Sequence, residues 1–391
     1  MLDMSAAFDV VDHGILLNKI KLYGFYARAL QWMENYLSGR TQAVYIDGSL
    51  SSFLAVDVGV PQGSILGPLC YVLFTNDLPE TILDTSSHVH WSQLSTHCAE
   101  CGGLCCFADD STYSASSRDQ DVLEEKLNEK YSVMANYLGN NRLKLNDDKT
   151  HLLIMTTRQK RRLVNINIKI TTPSEEIQPI QSERLLGVII QEDLKWTDYI
   201  QNHEKSLIKQ LTSRLNALRL ISGIASFKVR LMIANGIFCS KLIFQISLWG
   251  GAEDYLLRSL QIVQNKAARF VTRRGRYTSV AELLKQCGWL SVRQLVFYHS
   301  VSLIHKTLIT KYPKYIFSKL SSEFPYNTRL AESESVRMGT EFQAKLDLTE
   351  RSFMNRATLN FNQLPTDLRK IQKCETFKLK LKKWVIENCE I

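Results

Sequence analysis

The stretch CCFADDSTYSAS, residues 105–116, places two adjacent carboxylates, Asp109 and Asp110, between two strand-favouring arms. Neighbouring side chains of an extended strand point to opposite faces, so both acids can serve one site only if the chain turns sharply between them. The sequence from Ala108 to Ser111 suits such a turn, although Asp is also common in turns that have no chemical role. The pair alone therefore allows two interpretations, a solvated hairpin tip and a cation-binding site.

Regular patterns on both sides of this pair predict an α+β domain. Apolar residues recur at helical spacing within residues 16–23, 30–37, 66–73 and 123–138. Asp47-Gly48 marks a hairpin, and RLKLNDDKTHLLIM, residues 142–155, supplies a last strand or hairpin. This order of elements matches a split βαβ arrangement, in which helices cover one face of an antiparallel sheet. We therefore expect residues 1–155 to form one domain, with an irregular insert at residues 84–106.

The remainder of the chain is predicted to be mostly helical. Apolar and polar residues alternate from Val164 to Ile170, which predicts a strand, and RLLGVII, residues 184–190, is a second strand candidate. A long helix is expected from Asp198 onward, and helical periodicity continues to Ile391. We expect residues 156–225 to hold these strands and the long helix, and residues 226–391 to form a helical region.

The composition describes a globular protein whose charge favours a polyanionic partner, although a soluble basic protein without such a partner would look similar. Hydrophobic residues make up 45% of the chain, and 48 Lys and Arg against 39 Asp and Glu give a net charge of +9. The first residues carry acids and no basic leader, and polar residues interrupt the longest apolar region, Val229 to Trp249. Nine cysteines fit reduced thiols better than a disulfide framework. We expect an intracellular protein without a membrane segment.

A cation site at the acid pair requires a further acid on a neighbouring strand. Asp3 is the candidate, because it ends the first predicted strand, which the split βαβ topology puts beside the central hairpin. Three converging carboxylates would repel one another without cations, so the arrangement favours a Mg²⁺ site and phosphoryl transfer.

Five ordered motifs carry a resemblance that decides between the two interpretations. They are LDMSAAFDVVDH (2–13), GVPQGSILGPLCYVLFTNDLP (59–79), FADD (107–110), LKLNDDKT (143–150) and RLLGVII (184–190). This series resembles the palm motifs of reverse transcriptases from non-LTR, LINE-type retrotransposons, especially jockey-like elements. The resemblance implies a polymerase palm at residues 1–155, primer-grip strands and a thumb at 156–225, and a helical C-terminal extension. FNQLPTDLRK and FKLKLKKW, near the C-terminus, are looser matches to the region that follows the polymerase.

The resemblance assigns a role to each matching residue. Asp3, Asp109 and Asp110 correspond to the acids that bind two Mg²⁺ ions, with Mn²⁺ as a substitute, for nucleotidyl transfer to a primer 3′ end. Lys149 matches a lysine that protonates or neutralises the departing pyrophosphate, although alone it would read as a solvated surface lysine.

Three residues match the nucleotide pocket. Phe8 corresponds to the residue beneath the incoming sugar, where a bulky ring would clash with a 2′-hydroxyl. The alternative interpretation is that Phe8 is an ordinary aromatic residue of the core. Gln62 and Gly63 correspond to the loop that lines the nucleotide and template, and without the other motifs they would read as a plain turn. Asp9 is assigned a supporting role, and Leu186-Gly187 resembles the primer-grip hairpin.

A cysteine-rich and histidine-rich insert allows a zinc site as a second cofactor. Its ligand candidates are Cys98, Cys101, Cys105, Cys106 and His97, with His88 and His90 nearby. Only Cys98 and Cys101 have CxxC spacing, so a set of reduced cysteines is the alternative.

The resemblance also implies the partners: an RNA template, a DNA primer or target DNA, and deoxynucleoside triphosphates. Because the first motif begins at residue 2, we expect the fingers segment to be largely missing and the chain to be N-terminally truncated. The alternative function is an inactive nucleic-acid-binding remnant, whose basic surface would include Lys266, Arg269, Arg273, Arg274 and Arg276, interleaved with Phe270 and Tyr277. A solvated helix end is the other interpretation of these residues. Nuclear and cytoplasmic localisation is expected from the family, and TRQKRR, residues 157–162, is too short to establish nuclear import.

Overall fold

The computed structural model describes residues 1–2, 4, 6–83, 103–146, 149–157, 161, 168–172, 176–220, 225–321, 337–338 and 351–389. The chain forms two compact units, Met1–Gln181 and Ser182–Ile391. Both combine helices with small two-stranded pairings, so the α+β class is confirmed. The domain boundaries expected at residues 155 and 225 stay predictions.

The first unit has five helices and ten short strands among its described residues. The helices are α1 (His13–Leu22), α2 (Arg28–Leu37), α3 (Leu66–Phe74), α4 (Leu78–Leu83) and α5 (Gln120–Asn140). The strands are β1 (Thr41–Gln42), β2 (Tyr45–Ile46), β3 (Ser49–Leu50), β4 (Leu54–Ala55), β5 (Gly103–Phe107), β6 (Asp110–Ser114), β7 (Leu152–Leu153), β8 (Ile170–Thr171), β9 (Glu176–Ile177) and β10 (Pro179–Ile180).

The centre of this unit is the hairpin of β5 and β6, with the N-terminal segment beside it. Leu2 makes an antiparallel bridge to Ser111 of β6, and Met4 makes another to Leu145. Buried residues of α1, α3 and α5 pack on this group as one core, among them Leu16, Ile20, Cys70, Phe74, Met134 and Leu138. The described strands form two-stranded pairings, of which β7 with β10 is parallel, so the single antiparallel sheet with helices on one face stays a prediction.

Several predicted element details differ from the structure. The helix predicted from the spacing of Leu66, Leu69 and Leu73 is present as α3, but its fully buried side chains are Cys70, Tyr71 and Phe74. Leu66 and Leu73 pack against the core, and Leu69 is 50% exposed. Helix α5 continues past Gly139 to Asn140, because a helical glycine is tolerated when the flanking residues pack. Most of the expected insert, residues 84–102, and part of the strand expected at 164–170 lie outside the described residues.

The second unit begins with a hairpin and continues with helices. Its strands are β11 (Ser182–Leu185), β12 (Val188–Gln191), β13 (Leu320–Ser321) and β14 (Arg337–Met338). Its α-helices are α6 (Leu207–Leu220), α7 (Phe227–Ala234), α8 (Ser240–Ile243), α9 (Ile246–Trp249), α10 (Asp254–Thr272), α11 (Val280–Cys287), α12 (Val292–Thr310), α13 (Lys314–Phe317), α14 (Phe353–Asn362), α15 (Thr366–Arg369) and α16 (Cys374–Asn388). Single π-helical turns span Asp198–Asn202 and Asn235–Cys239.

The long helix expected from Asp198 is wrong in one respect. The π-helical turn ends at Asn202, and α6 starts only at Leu207. Helical spacing of the apolar residues continues across the gap, which is why periodicity alone missed the break. Helix α10 lies in the larger core of the unit, and its buried residues Leu256, Leu260, Val263, Ala267 and Val271 follow helical spacing. None of the helices in the described ranges combines the length and the hydrophobicity of a bilayer span.

Candidate active site

The acid pair lies at the turn of the β5–β6 hairpin. Phe107 pairs with Asp110, so Ala108 and Asp109 form the two-residue loop, and Ala108 takes a left-handed φ of 53°. Asp109 is half-buried, and Asp110, the first residue of β6, is exposed. The sharp turn expected from the sequence is therefore present, and it puts both carboxylates at one end of the hairpin.

Backbone hydrogen bonds bring two other motifs to this hairpin. The amide of Leu2 donates to the carbonyl of Ser111 at 2.7 Å, and the amide of Ser111 donates to the carbonyl of Leu2 at 3.0 Å. The amide of His151 donates to the carbonyl of Met1 at 2.9 Å. The segment that contains Lys149 therefore lies beside the N-terminal residues. Lys149 is exposed. Asp3 itself lies outside the described residues, so the described geometry covers its flanks, Leu2 and Met4, only.

Tyr71 lies beneath this region, and sequence reasoning missed it. Its side chain is only 1% exposed, and its hydroxyl contacts Met4 Sδ at 3.0 Å. Phe8 stacks on the Tyr71 ring with 4.8 Å between the ring centroids. Burial raises the pKa of the Tyr71 hydroxyl above its ordinary value, and the negative charge of Asp109 raises it further. Tyr71 follows Cys70 and precedes Phe74 at helical spacing, which is the signal that would have found it.

The loop at residues 58–60 joins the first two motifs. The amide of Gly59 donates to the carbonyl of Val11, and the amide of Val60 donates to the carbonyl of Phe8, both at 2.8 Å. Gly59 has a φ of 87°, and a Cβ there would lie 2.6 Å from the carbonyl oxygen of Asp9. Only glycine fits this close approach of two backbones.

The PQGS turn is held by hydrogen bonds on both sides. Gln62 Nε2 donates to Asp9 Oδ1 at 2.9 Å, which connects the supporting acid of the first motif to the second motif. Ser64 Oγ donates to the carbonyl of Pro61 at 2.7 Å and accepts from the amide of Gly67 at 2.9 Å. Gln62 and Gly63 are exposed, and Gly63 has a φ of 79°, with no atom within 4 Å of the position that a Cβ would occupy. The turn is therefore rigid at its base and open at Gln62-Gly63.

A partly buried polar cluster supports the helices behind the site. Asp77 Oδ1 accepts from Lys19 Nζ at 2.8 Å and from the Tyr137 hydroxyl at 2.6 Å. Burial lowers the pKa of Lys19, and the partner carboxylate acts in the opposite direction. These contacts join α1, α5 and the segment after α3, so their role is structural.

Leu186-Gly187, expected to resemble a primer grip, forms the two-residue turn of the β11–β12 hairpin. Leu185 pairs with Val188, and the turn residues have φ values of 47° and 84°. Both positive φ values are typical of a type I′ turn, for which glycine is favoured. This hairpin belongs to the second unit.

The expected zinc ligands lie mostly outside the described residues. Cys98, Cys101 and His97 are among these. Cys105 and Cys106 are exposed free thiols on adjacent positions of β5. Adjacent strand residues point to opposite faces, which works against one tetrahedral ion being held by both.

Carboxylate oxygens are the donors that Mg²⁺ prefers, and Asp109 and Asp110 supply them at a solvent-accessible turn. Within the described ranges, no three His, Cys, Asp or Glu side chains lie together as a metal site requires. The third acid expected from the sequence, Asp3, is not among those residues. The carboxylate oxygens of Asp109 and Asp110 are nevertheless suitable ligands for a divalent cation.

Residues 1–190 match the family model described as Reverse transcriptase (RNA-dependent DNA polymerase). Two Drosophila melanogaster relatives are a probable RNA-directed DNA polymerase from transposon X-element, 27% identical over 69% of this chain, and one from transposon BS, 26% identical over 76%. The RNA-directed DNA polymerase from mobile element jockey of the same species is 25% identical over 69% of this chain. These alignments cover 28%, 31% and 28% of the relatives, so the chain spans less than a third of their length.

The match to the family model covers all five motifs, and the relatives are the kind of polymerase that the motifs predict. Residues 1–190 therefore form a reverse transcriptase domain, and the chain is similar to the RNA-directed DNA polymerases of the mobile elements X-element, BS and jockey.

Proposed function

We propose that this chain is an RNA-directed DNA polymerase that adds deoxynucleotides to a primer 3′ end on an RNA template. One observation carries the proposal most strongly. The Asp109-Asp110 turn is hydrogen-bonded through Ser111 to Leu2, the neighbour of the third motif acid. The proposed partners are the RNA template, a DNA primer or target DNA, and deoxynucleoside triphosphates.

Asp3, Asp109 and Asp110 would hold two Mg²⁺ ions, or Mn²⁺ in their place. Bound there, the ions would supply activation of the primer hydroxyl and stabilisation of charge on the triphosphate. Half-burial of Asp109 reduces the competition from water for its carboxylate, and exposure of Asp110 leaves the site open to substrate.

Phe8 and the PQGS turn would form the nucleotide pocket. Stacking on the buried Tyr71 ring fixes the plane of Phe8, so its edge would meet a 2′-hydroxyl in a constant position. Gln62 would act as a positioned side chain, because Asp9 accepts its amide hydrogen bond. Gly63 adds no side chain and would let the backbone approach the ligand.

Lys149 would act as the acid for the departing pyrophosphate. It is exposed, and its backbone amide donates to the carbonyl of Asn146 at 3.2 Å. A protonated ammonium there would offset the charge that develops on the leaving group. We also propose that the β11–β12 hairpin serves as a primer grip and that the helices following it form a thumb.

The proposal is tested by primer extension on a defined RNA template with Mg²⁺. The purified chain is expected to incorporate deoxynucleotides, and an Asp109→Asn/Asp110→Asn variant prepared in parallel is expected to lose at least about 1,000-fold in rate, since the carboxylates act in the reaction itself. Lys149→Ala is expected to retain cation dependence with a slower rate. Equal extension by the wild type and the double variant would show a contaminating polymerase and contradict the proposal.

A further inference from the structure

Tyr36 contacts the PQGS turn from a helix that lies outside the five sequence motifs. Helix α2 buries Met33 and Leu37 in the core of the first unit, and the half-buried Tyr36 lies between them in sequence. The Tyr36 hydroxyl donates to Ser64 Oγ at 3.1 Å, across 28 positions of the chain. A helix anchored in the core therefore reaches the turn through one side-chain hydrogen bond.

Two neighbouring side chains orient the Tyr36 ring. The Trp32 ring lies nearly parallel to it, with 5.9 Å between the ring centroids and an angle of 8° between the planes. The guanidinium carbon of Arg40 lies 5.2 Å from the centre of the Tyr36 ring, and Arg40 Nη1 donates to the Tyr36 carbonyl at 3.2 Å. Stacking and cation–π contacts of this kind favour one orientation of the ring. The hydroxyl is therefore held at the position from which it donates to Ser64.

The Ser64 hydroxyl uses its full hydrogen-bonding capacity. A serine hydroxyl offers one donor and two acceptor lone pairs. Ser64 Oγ donates to the carbonyl of Pro61 at 2.7 Å, and it accepts from the amide of Gly67 at 2.9 Å and from the Tyr36 hydroxyl. Without the Tyr36 hydroxyl, the oxygen of this half-buried residue would lose one of its three partners.

These contacts tether the turn on both sides of Gly63. Gln62 is held by Asp9, and Ser64 is held by Tyr36. Gly63 itself has a positive φ of 79° and faces open space. Loss of either tether would allow the open Gln62-Gly63 edge of the turn to move.

We propose that Tyr36 is a positioning residue for nucleotide binding, which acts through Ser64 to fix the PQGS turn. The proposal rests on the proposed function, in which this turn lines the nucleotide pocket. The acid pair belongs to another element, the β5–β6 hairpin. Loss of the tether is therefore expected to weaken nucleotide binding and to leave the chemical step intact. A tyrosine that only packed on α2 would need no hydroxyl, and Tyr36→Phe would then change neither property.

The tether is tested by hydrogen–deuterium exchange of the full chain, measured by mass spectrometry on peptides that cover residues 61–69. The amide of Gly67 donates to Ser64 Oγ, so its protection reports on the order of the turn. Tyr36→Phe is expected to raise the exchange rate of this amide about fivefold, the factor that one neutral hydrogen bond contributes. The matched control, Tyr26→Phe, removes the hydroxyl of a ring that precedes α2 and is 67% exposed. This control is expected to leave the exchange rate unchanged.

The role in nucleotide binding is tested by steady-state primer extension in which the concentration of one deoxynucleotide is varied. Tyr36→Phe is expected to raise the nucleotide KM about fivefold, with kcat within about twofold of the wild type. Ser64→Ala, which removes all three hydrogen bonds of the hydroxyl, is expected to raise KM further. Adding Tyr36→Phe to Ser64→Ala is expected to cause no additional change, because Tyr36 acts through Ser64.

Three outcomes would overturn the proposal. They are unchanged exchange in Tyr36→Phe, independent increases in KM from the two substitutions in the double variant, and a lower kcat at unchanged KM. The exchange measurement requires no turnover. Absence of extension by the wild type would therefore contradict the proposed function, while exchange alone would still decide whether Tyr36 holds the turn.

Discussion

Individual residues at the candidate site are explained by close backbone approach and by stacking. Gly59 and Gly63 both have positive φ, yet only Gly59 faces another backbone, at Asp9. Phe8 is ordered by its stacking on Tyr71. Burial raises the pKa of the Tyr71 hydroxyl, and the negative charge of Asp109 raises it further.

The glycine pair gives a matched stability prediction. Gly59→Ala is expected to destabilise the fold by about 3 kcal/mol, because left-handed strain adds to a contact of 2.6 Å with the Asp9 carbonyl. Gly63→Ala, with the strain but no contact, is expected to cost about 1 kcal/mol. Urea unfolding of both variants measures the difference, and equal losses would contradict the close approach.

Phe8 gives a prediction about substrate choice. Phe8→Val is expected to lower the preference for deoxynucleotides over ribonucleotides by about tenfold or more, because the ring edge no longer occupies the space of a 2′-hydroxyl. The measurement is the ratio of kcat/KM for the two nucleotides in primer extension. An unchanged ratio, with extension retained, would leave Phe8 as a core aromatic only.

At the scale of the element, local hydrogen bonds decide where helices begin. Asp12 caps α1 by accepting from the amide of Ile15 at 2.9 Å, and Arg142 Nη1 binds its other oxygen at 2.6 Å. The backbone bond to Ile15 is the largest influence on the Asp12 carboxyl, whose pKa is lowered below 3.8.

The cap has a pH-dependent consequence. A carboxyl whose pKa is lower in the folded protein stabilises the fold above pH 3.8, and this contribution is lost as the pH falls through the folded value. Asp12→Ala is expected to cost about 1–2 kcal/mol at pH 7, and Asp12→Asn, which keeps a cap, clearly less. At pH 3, the free energy of unfolding of both variants is expected to lie closer to that of the wild type than at pH 7. The same difference from the wild type at both pH values would contradict the ionised cap.

Helices and hairpins could be predicted from the sequence where spacing and turn chemistry agree. The Asp47-Gly48 turn, α1, α2 and the acidic hairpin illustrate this. Residues 184–190, predicted as one strand from their pattern, are instead parts of two strands joined at Leu186-Gly187. The exposure of Leu69 in α3 and the break before α6 could not be predicted, because apolar residues continue at helical spacing whether or not they are buried. The contacts of Tyr71 and Gly59 also require residues distant in sequence to meet, which local pattern does not encode.

At the scale of the whole molecule, each unit has its own core and its own proposed task. In the second unit, His305 is buried and stacks on Phe377 with 3.7 Å between the ring centroids, and its Nε2 lies 2.6 Å from the carbonyl of Ile371. Burial lowers the pKa of this imidazole below 6.5 despite that hydrogen bond.

Acidification is therefore expected to destabilise the fold through His305. The unfolded chain takes up the proton first, so stability falls as the pH drops below 6.5, by at most about 1.4 kcal/mol per pH unit for one histidine. In urea unfolding, His305→Gln is expected to lose less stability than the wild type between pH 7.5 and 5.5. Some loss is expected to remain, because burial also lowers the pKa of His299. The same loss in the variant would contradict this assignment.

The proposed polymerase chemistry depends above all on the acid pair at the hairpin turn, which is expected to hold the catalytic divalent cations. The decisive measurement is Mn²⁺ binding by electron paramagnetic resonance, with primer, RNA template and a deoxynucleoside triphosphate present. The wild type is expected to bind Mn²⁺ at levels that Asp109→Asn/Asp110→Asn does not reach, with Mg²⁺ competing for the site. Equal Mn²⁺ binding by the two proteins, both folded, would contradict a cation site at this turn.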